Sequence, residues 1–200
     1  MGKKLCIIAA AILGIAPVAA AADAAFGGWD DSAECIDPWY AGTGAQILLP
    51  GSGLKLDKPY AQSLFAGMQL SDAWAVEVSG LCAPNATMRG VGGSSAVWGA
   101  GTRALWYFGG DLIGYERFAP CLSFGAEAYG ARRFGFAGGK RAAGGPSAGI
   151  MFYWHLDDSW SLRAGARMSF LCGSRVETVA CAGIGLAYSW GGRNDDLEND

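Results

Sequence analysis

Past its first twenty or so residues the chain has no apolar run near the ~20 residues a spanning helix needs. It is also short of charge, with 16% of residues Asp, Glu, Lys or Arg, too few to clothe an ordinary soluble domain. His155 is the single histidine and no cysteine pair has C-x-x-C spacing, so the signal for a metal site is weak and none is expected. No cofactor motif is present. A net charge of −3 with no basic block recommends no nucleic-acid partner. What is there is apolar and small: 52% hydrophobic residues and 32 glycines, spread along many short segments. In lipid only helices and closed barrels satisfy every backbone polar group. With spanning helices excluded, the composition points to an all-β transmembrane barrel.

The N-terminus reads as a secretory signal peptide over residues 1–22. Lys3 and Lys4 precede the apolar stretch Leu5–Ala16, and Ala20-Ala21-Ala22 offers an A-x-A cleavage site before Asp23. A membrane anchor helix is the alternative, but the stretch is short and is followed by Pro17 and small residues. Lipid anchoring would need a cysteine directly after the stretch; Cys6 lies at its start and Cys35 well beyond. Losing Lys3 and Lys4 takes the net charge from −3 to −5. Residues 23–38 read as a polar periplasmic lead-in, 39–190 as the barrel, and 191–200 as a charged, disordered periplasmic tail.

From Trp39 to Trp190 the chain falls into segments of about ten residues with period-2 alternation, separated by turn chemistry. Strands are expected near Trp39–Leu48, Tyr60–Leu70, Ala73–Cys82, Ala96–Phe108, Arg117–Ala131, Ser147–Leu156 and Trp160–Leu171, with an eighth ending at Trp190. The seventh is the clearest: Trp160, Leu162, Ala164, Ala166, Met168 and Phe170 alternate with Ser161, Arg163, Gly165, Arg167 and Ser169. Short turns at Ser71-Asp72, 109–116 and Asp157-Asp158 alternate with longer loops near 50–59, 83–95, 132–146 and 172–178. This asymmetry predicts an antiparallel up-and-down barrel with the short turns periplasmic and the loops extracellular.

The apolar face is expected outside. Its aromatics (Trp39, Trp74, Trp106, Trp154, Trp160, Tyr188 and Trp190) fall toward the periplasmic strand ends, as an interfacial girdle would; in a soluble sandwich they would be core. The other face holds Glu77, Arg103, Glu127, Arg163 and Arg167 among glycines and serines. An eight-stranded barrel is just wide enough for side chains to fill, so these charges are expected to pair and plug the lumen rather than act as a catalytic carboxylate pair or a selectivity ring. Glu77 can meet Arg103 on the neighbouring strand, and Arg163 and Arg167 can face Glu127 across the barrel. Ala166 is expected to face lipid, and Ser169 to face inward near a wet rim. His155, near a periplasmic strand end, reads as structural. Cys35, Cys82, Cys121, Cys172 and Cys181 remain after cleavage in a compartment that permits disulfides, and the odd count leaves a free thiol.

The last strand carries Gly185-x-x-Tyr188-x-Trp190, which resembles the C-terminal signal read by the barrel-assembly machinery, here followed by ten more residues. With Trp39-Tyr-Ala-Gly-x-Gly, Trp74-Ala-Val-Glu-Val and Arg117-Phe-Ala-Pro-x-Leu-x-x-Gly, residues 38–190 resemble the OmpA-like outer-membrane β-barrel family. The resemblance implies residence among outer-membrane lipids and a non-enzymatic structural, adhesion or surface-interaction role. A narrow porin-like pore is the alternative, then a lipid-modifying enzyme. A soluble lipocalin-like barrel would have an apolar interior and a charged outside, the reverse of this pattern.

Overall fold

The computed structural model describes residues 39–51, 54, 56–71, 73–87, 93–108, 118–132, 142–157, 159–172 and 176–190. The leader (1–22), the lead-in (23–38) with Cys35, and the tail (191–200) lie outside the described residues. The strands are β1 (Trp39–Pro50), β2 (Tyr60–Ser71), β3 (Trp74–Thr87), β4 (Ser94–Tyr107), β5 (Phe118–Ala131), β6 (Ala142–His155), β7 (Trp160–Leu171) and β8 (Glu177–Trp190). Each pairs antiparallel with the next, and β8 pairs with β1, closing an up-and-down barrel.

Several strands run further than the alternation suggests. β6 begins at Ala142, so Ala143, Gly144, Gly145 and Pro146, read above as loop, pair with Tyr129, Ala128, Glu127 and Ala126. β3 continues to Thr87 past a register irregularity between Ala83 and Ala86. Gly-Ala stretches look like turns in isolation, but here the neighbouring β5 offers Ala143–Pro146 a partner, while Pro84 and Asn85 fall within the irregularity itself.

Following cross-strand partners once around the ring fixes the geometry. Trp39 leads to Met68, Val76, Ala104, Phe124, Ala148, Met168 and Ala180, and returns to Leu49, ten positions along β1. With ~3.3 Å rise per residue and ~4.8 Å between strands, that stagger tilts the strands by about 40° and gives a radius of about 8 Å. Such a tube has room for side chains and little else.

The alternation sorts the chain cleanly. Glu77, Arg103, Glu127, Arg163, Arg167 and Glu177, the Asp, Glu and Arg residues of the eight strands, all fall on the inward set. Outside, Leu64, Phe124, Phe152, Leu162, Phe170 and Ile184 are exposed. This inside-out pattern needs a surrounding that is not water.

Candidate functional site

Inside the barrel three layers are stacked. Toward the rim that bears the short turns, Tyr40, Phe65, Leu105, Tyr107, Cys121, Met151 and Tyr153 pack as one buried cluster. Toward the rim that bears the longer connections, Leu48, Leu81, Val97, Tyr129, Leu171 and Val179 form another. Leu54 and Leu56 join this second cluster at 3% and 2% exposure, although both lie in the connection after β1. That connection bends back over the mouth: Leu54 N–H donates to Gly51 O at 3.0 Å and Asp57 N–H to Thr87 O at 3.0 Å. Sequence reading left 50–59 as a plain loop. The signal was present in the two leucines of an otherwise polar connection, Leu54 and Leu56.

Between the apolar layers lies the charged belt. Glu77 and Arg103 are direct cross-strand partners. Arg103 Nε donates to Glu77 Oε1 at 2.9 Å, and its Nη2 makes a second, shorter contact with the same oxygen. Arg163, on β7, crosses the lumen and donates from Nη1 to Glu77 Oε2 at 2.8 Å. The expectation that Arg163 would serve Glu127 is thus corrected: the ring stagger sets Arg163 level with Glu77. Tyr40 Oη also donates to Glu77 Oε2, at 3.4 Å. Arg163 carries its guanidinium 3.5 Å from the centre of the Phe65 ring.

Glu127 has a different set of partners. Tyr129 Oη and Ser169 Oγ donate to its Oε2 at 2.5 and 2.6 Å. Arg167 Nε stands 2.5 Å from Oε1, and Arg103 Nη1 is 4.0 Å from the same oxygen, so Arg103 lies between both carboxylates. Tyr129 and Ser169 were not expected here. Ser169, expected near a wet rim, is 0% exposed: β7 continues past it to Leu171, which is buried in the apolar cluster of that rim.

The expected girdle residues sit on the outer face at one rim. Trp39, Trp106, Trp154, Trp160, Tyr188 and Trp190 are 40–57% exposed. They meet across strands: Trp74 stacks on Trp106 with ring centres 6.2 Å apart, and Trp160 meets Tyr188 edge-on at 4.9 Å. Gly185 is inward, where a Cβ would stand 2.8 Å from Thr43 O, so β8 and β1 can approach closely there.

His155 Nδ1 and Ser161 Oγ are 2.9 Å apart. The carboxylate nearest in sequence, Asp157, instead accepts the backbone N–H groups of Ser159 and Trp160 at 2.9 and 2.7 Å, capping the turn. The pair therefore lacks that carboxylate as the orienting third group of a nucleophilic triad. Among the described cysteines, Cys82 and Cys172 are exposed free thiols and Cys121 and Cys181 buried ones. A broad apolar depression over β2–β5 is lined by Ala66, Val78, Thr102 and Phe124 of the outer face and also borders Glu77 and Arg103.

The two rims differ in charge. The segments joining strands at the long-connection rim contain Lys55, Lys58, Arg89, Arg132, Arg133, Lys140, Arg141 and Arg175 against Asp57. The segments at the opposite rim, of which 108–117 is as long as any at the first and so departs from the expected short turn, contain Asp72, Asp111, Glu116, Asp157 and Asp158 against Arg117.

No protein-family profile and no curated protein matches the sequence. Solved structures do resemble the fold. Ail, the attachment invasion locus protein of Yersinia pestis, in complex with the heparin analogue sucrose octasulfate, aligns with a TM-score of 0.55 at 16% identity, over 77% of this chain and 99% of that one. Neisserial surface protein A aligns with 0.56 at 13%, over 76% and 97%. The N-terminal β-barrel domain of Pseudomonas aeruginosa OprF aligns with 0.55 at 12%, over 78% and 98%. The chain has the fold of these small eight-stranded barrels.

Proposed function

We propose that this is an exported bacterial outer-membrane barrel with the long-connection rim facing outward, and that it works as a non-enzymatic surface-interaction protein engaging an anionic polysaccharide. Ten residues tilted by about 40° rise about 25 Å, so the outer face from Trp39 to Leu49 matches the apolar band of such barrels. The tryptophan rim then lies at the inner headgroups, and Gly185, Tyr188 and Trp190 are the mark read by the assembly machinery. The resemblance to barrels of bacterial outer surfaces supports the setting.

The observation that carries the role is the pairing of a shut lumen with a basic outer rim. Both mouths are packed with apolar side chains and the charges between them are bonded to one another, so the interior offers a solute no path. What remains to meet a partner is the set of outer connections, with eight cations against Asp57. A polyanion is the chemistry they fit. Ail, of like fold, was solved with a sulfated sugar.

The test is retention of the folded barrel on heparin against uncharged dextran. Binding that weakens as salt rises through ~0.15 M, and that drops about tenfold or more in Arg132→Gln/Arg133→Gln/Lys140→Gln/Arg141→Gln, supports the role. Equal, weak retention of both proteins rejects it. The competing reading, a narrow pore, is favoured by the small cavity lined by Arg163 and Arg167, and predicts stable unitary conductance in planar bilayers where the surface role predicts none.

A further inference from the structure

The charged belt does not balance. Its residues are Arg103, Arg163 and Arg167 against Glu77 and Glu127: three positive charges less two negative leaves one positive, enclosed between two apolar layers. The hydrogen-bond supply is uneven in the same sense. A guanidinium has five N–H donors and accepts nothing. Arg103 Nη1 is buried without a hydrogen-bond partner. Arg163 spends Nη1 on Glu77, while Nη2 meets only the Met151 sulfur at 3.7 Å, a poor acceptor. Arg167 lies beside Glu127 through Nε, but at an angle that makes no hydrogen bond.

Two of these arginines, Arg163 and Arg167, line one cavity. This small cavity is lined by Arg163, Arg167, Ser63 and Gln46 from the inward set, with Phe65 and Met151 beside them and Ala166 and Ile184 at the wall. Gly44, Gly165, Gly183 and Gly185 also face it, so no side chain of theirs takes up the space. Gly165 lies between the two arginines on β7, and a Cβ there would stand 2.8 Å from Met151 Cγ. Gln46 is 8% exposed, and its Oε1 has no partner. An amide can turn to present either its oxygen or its nitrogen, so Gln46 can donate into the cavity as well.

We infer that this cavity binds a small monatomic anion, of the chloride class, between Arg163 and Arg167. The sign follows from the excess of guanidinium over carboxylate in a low-dielectric interior, where an uncompensated charge is poorly tolerated. The size follows from the glycine-lined walls. A spherical anion accepts donors from any direction, which suits two arms reaching it from successive inward positions of one strand.

The test uses the whole folded barrel crystallised from bromide. The expected result is an anomalous peak inside the lumen within hydrogen-bond reach of Arg163 and Arg167. A cavity holding only water, or bromide confined to the outer surface, overturns the proposal. A second measurement needs no crystal: at constant ionic strength, chloride or bromide should raise the unfolding midpoint over gluconate, which is too large to enter, by about 3 °C or more. Arg167→Met should remove that difference. A halide effect of the same size in the variant, or none in the parent, contradicts the site.

Discussion

Arg163 and Glu77 stand 86 positions apart in sequence and on opposite walls of the barrel, yet Arg163 Nη1 and Glu77 Oε2 are 2.8 Å apart. The bond ties β7 to β3 straight across the lumen. With Arg103 on the other oxygen of the same carboxylate, it makes Glu77 the most heavily used acceptor of the belt.

Removing that acceptor should be costly. Glu77→Ala leaves Arg103 and Arg163 facing each other without their carboxylate and should destabilise the folded barrel by roughly 3–5 kcal/mol. Replacing Glu77, Arg103 and Arg163 together by apolar residues of similar volume should cost less than Glu77→Ala alone, since no charge is then stranded. Urea unfolding followed by tryptophan fluorescence in micelles measures both. A loss under about 1 kcal/mol in Glu77→Ala, the range of an exposed ion pair, would falsify the account of the network.

Two positions on β7 should respond to different insults. Ala166 is exposed on the outer face, where arginine at mid-membrane costs roughly 2–4 kcal/mol, so Ala166→Arg should deplete the heat-resistant, gel-shifted form. Ser169→Ala takes a hydrogen bond from Glu127 in a fully buried setting and should cost about 1–3 kcal/mol. If Ala166→Arg folds as well as the parent while Ser169→Ala does not, the outer face of β7 does not meet lipid.

The leucine lid should protect the buried thiol beneath it. Cys181 packs in the same cluster as Leu54 and Leu56 and is 1% exposed. Leu54→Ser/Leu56→Ser should speed its reaction with a small charged methanethiosulfonate by about tenfold or more, the change expected when opening becomes easier by ~1.4 kcal/mol. Cys121, in the cluster at the other mouth, should keep its slow rate. Peptide mapping separates the two, and parallel acceleration at both would point to general loosening in place of a lid.

How far the sequence carried this picture depends on the scale of each feature. β7 was legible residue by residue because its alternation is strict and local, and the direct pairing of Glu77 with Arg103 followed from strands adjacent in sequence. The start of β6 was not legible, since Gly144-Gly145-Pro146 has the chemistry of a turn and becomes strand only through its neighbours. The choice of Glu77 over Glu127 by Arg163 depends on the stagger of the closed ring, which no single strand carries. Ser169 was misjudged for a related reason: its depth is set by the apolar cluster that closes the rim beyond it, to which several strands contribute.

The seam between β1 and β8 has a consequence in time. Twelve rungs join Trp39–Pro50 to Val179–Trp190, and none can form until the last strand has been made, about 150 residues after the first. Up to that moment the half-built sheet has two bare edges, each a template for any other strand it meets, and drawing the ends together costs about 4 kcal/mol of chain entropy before a single rung repays it. A nascent chain of this kind must be kept apart from its copies in transit, and its edges must be brought together in one event at the place where its outer face finds a suitable solvent.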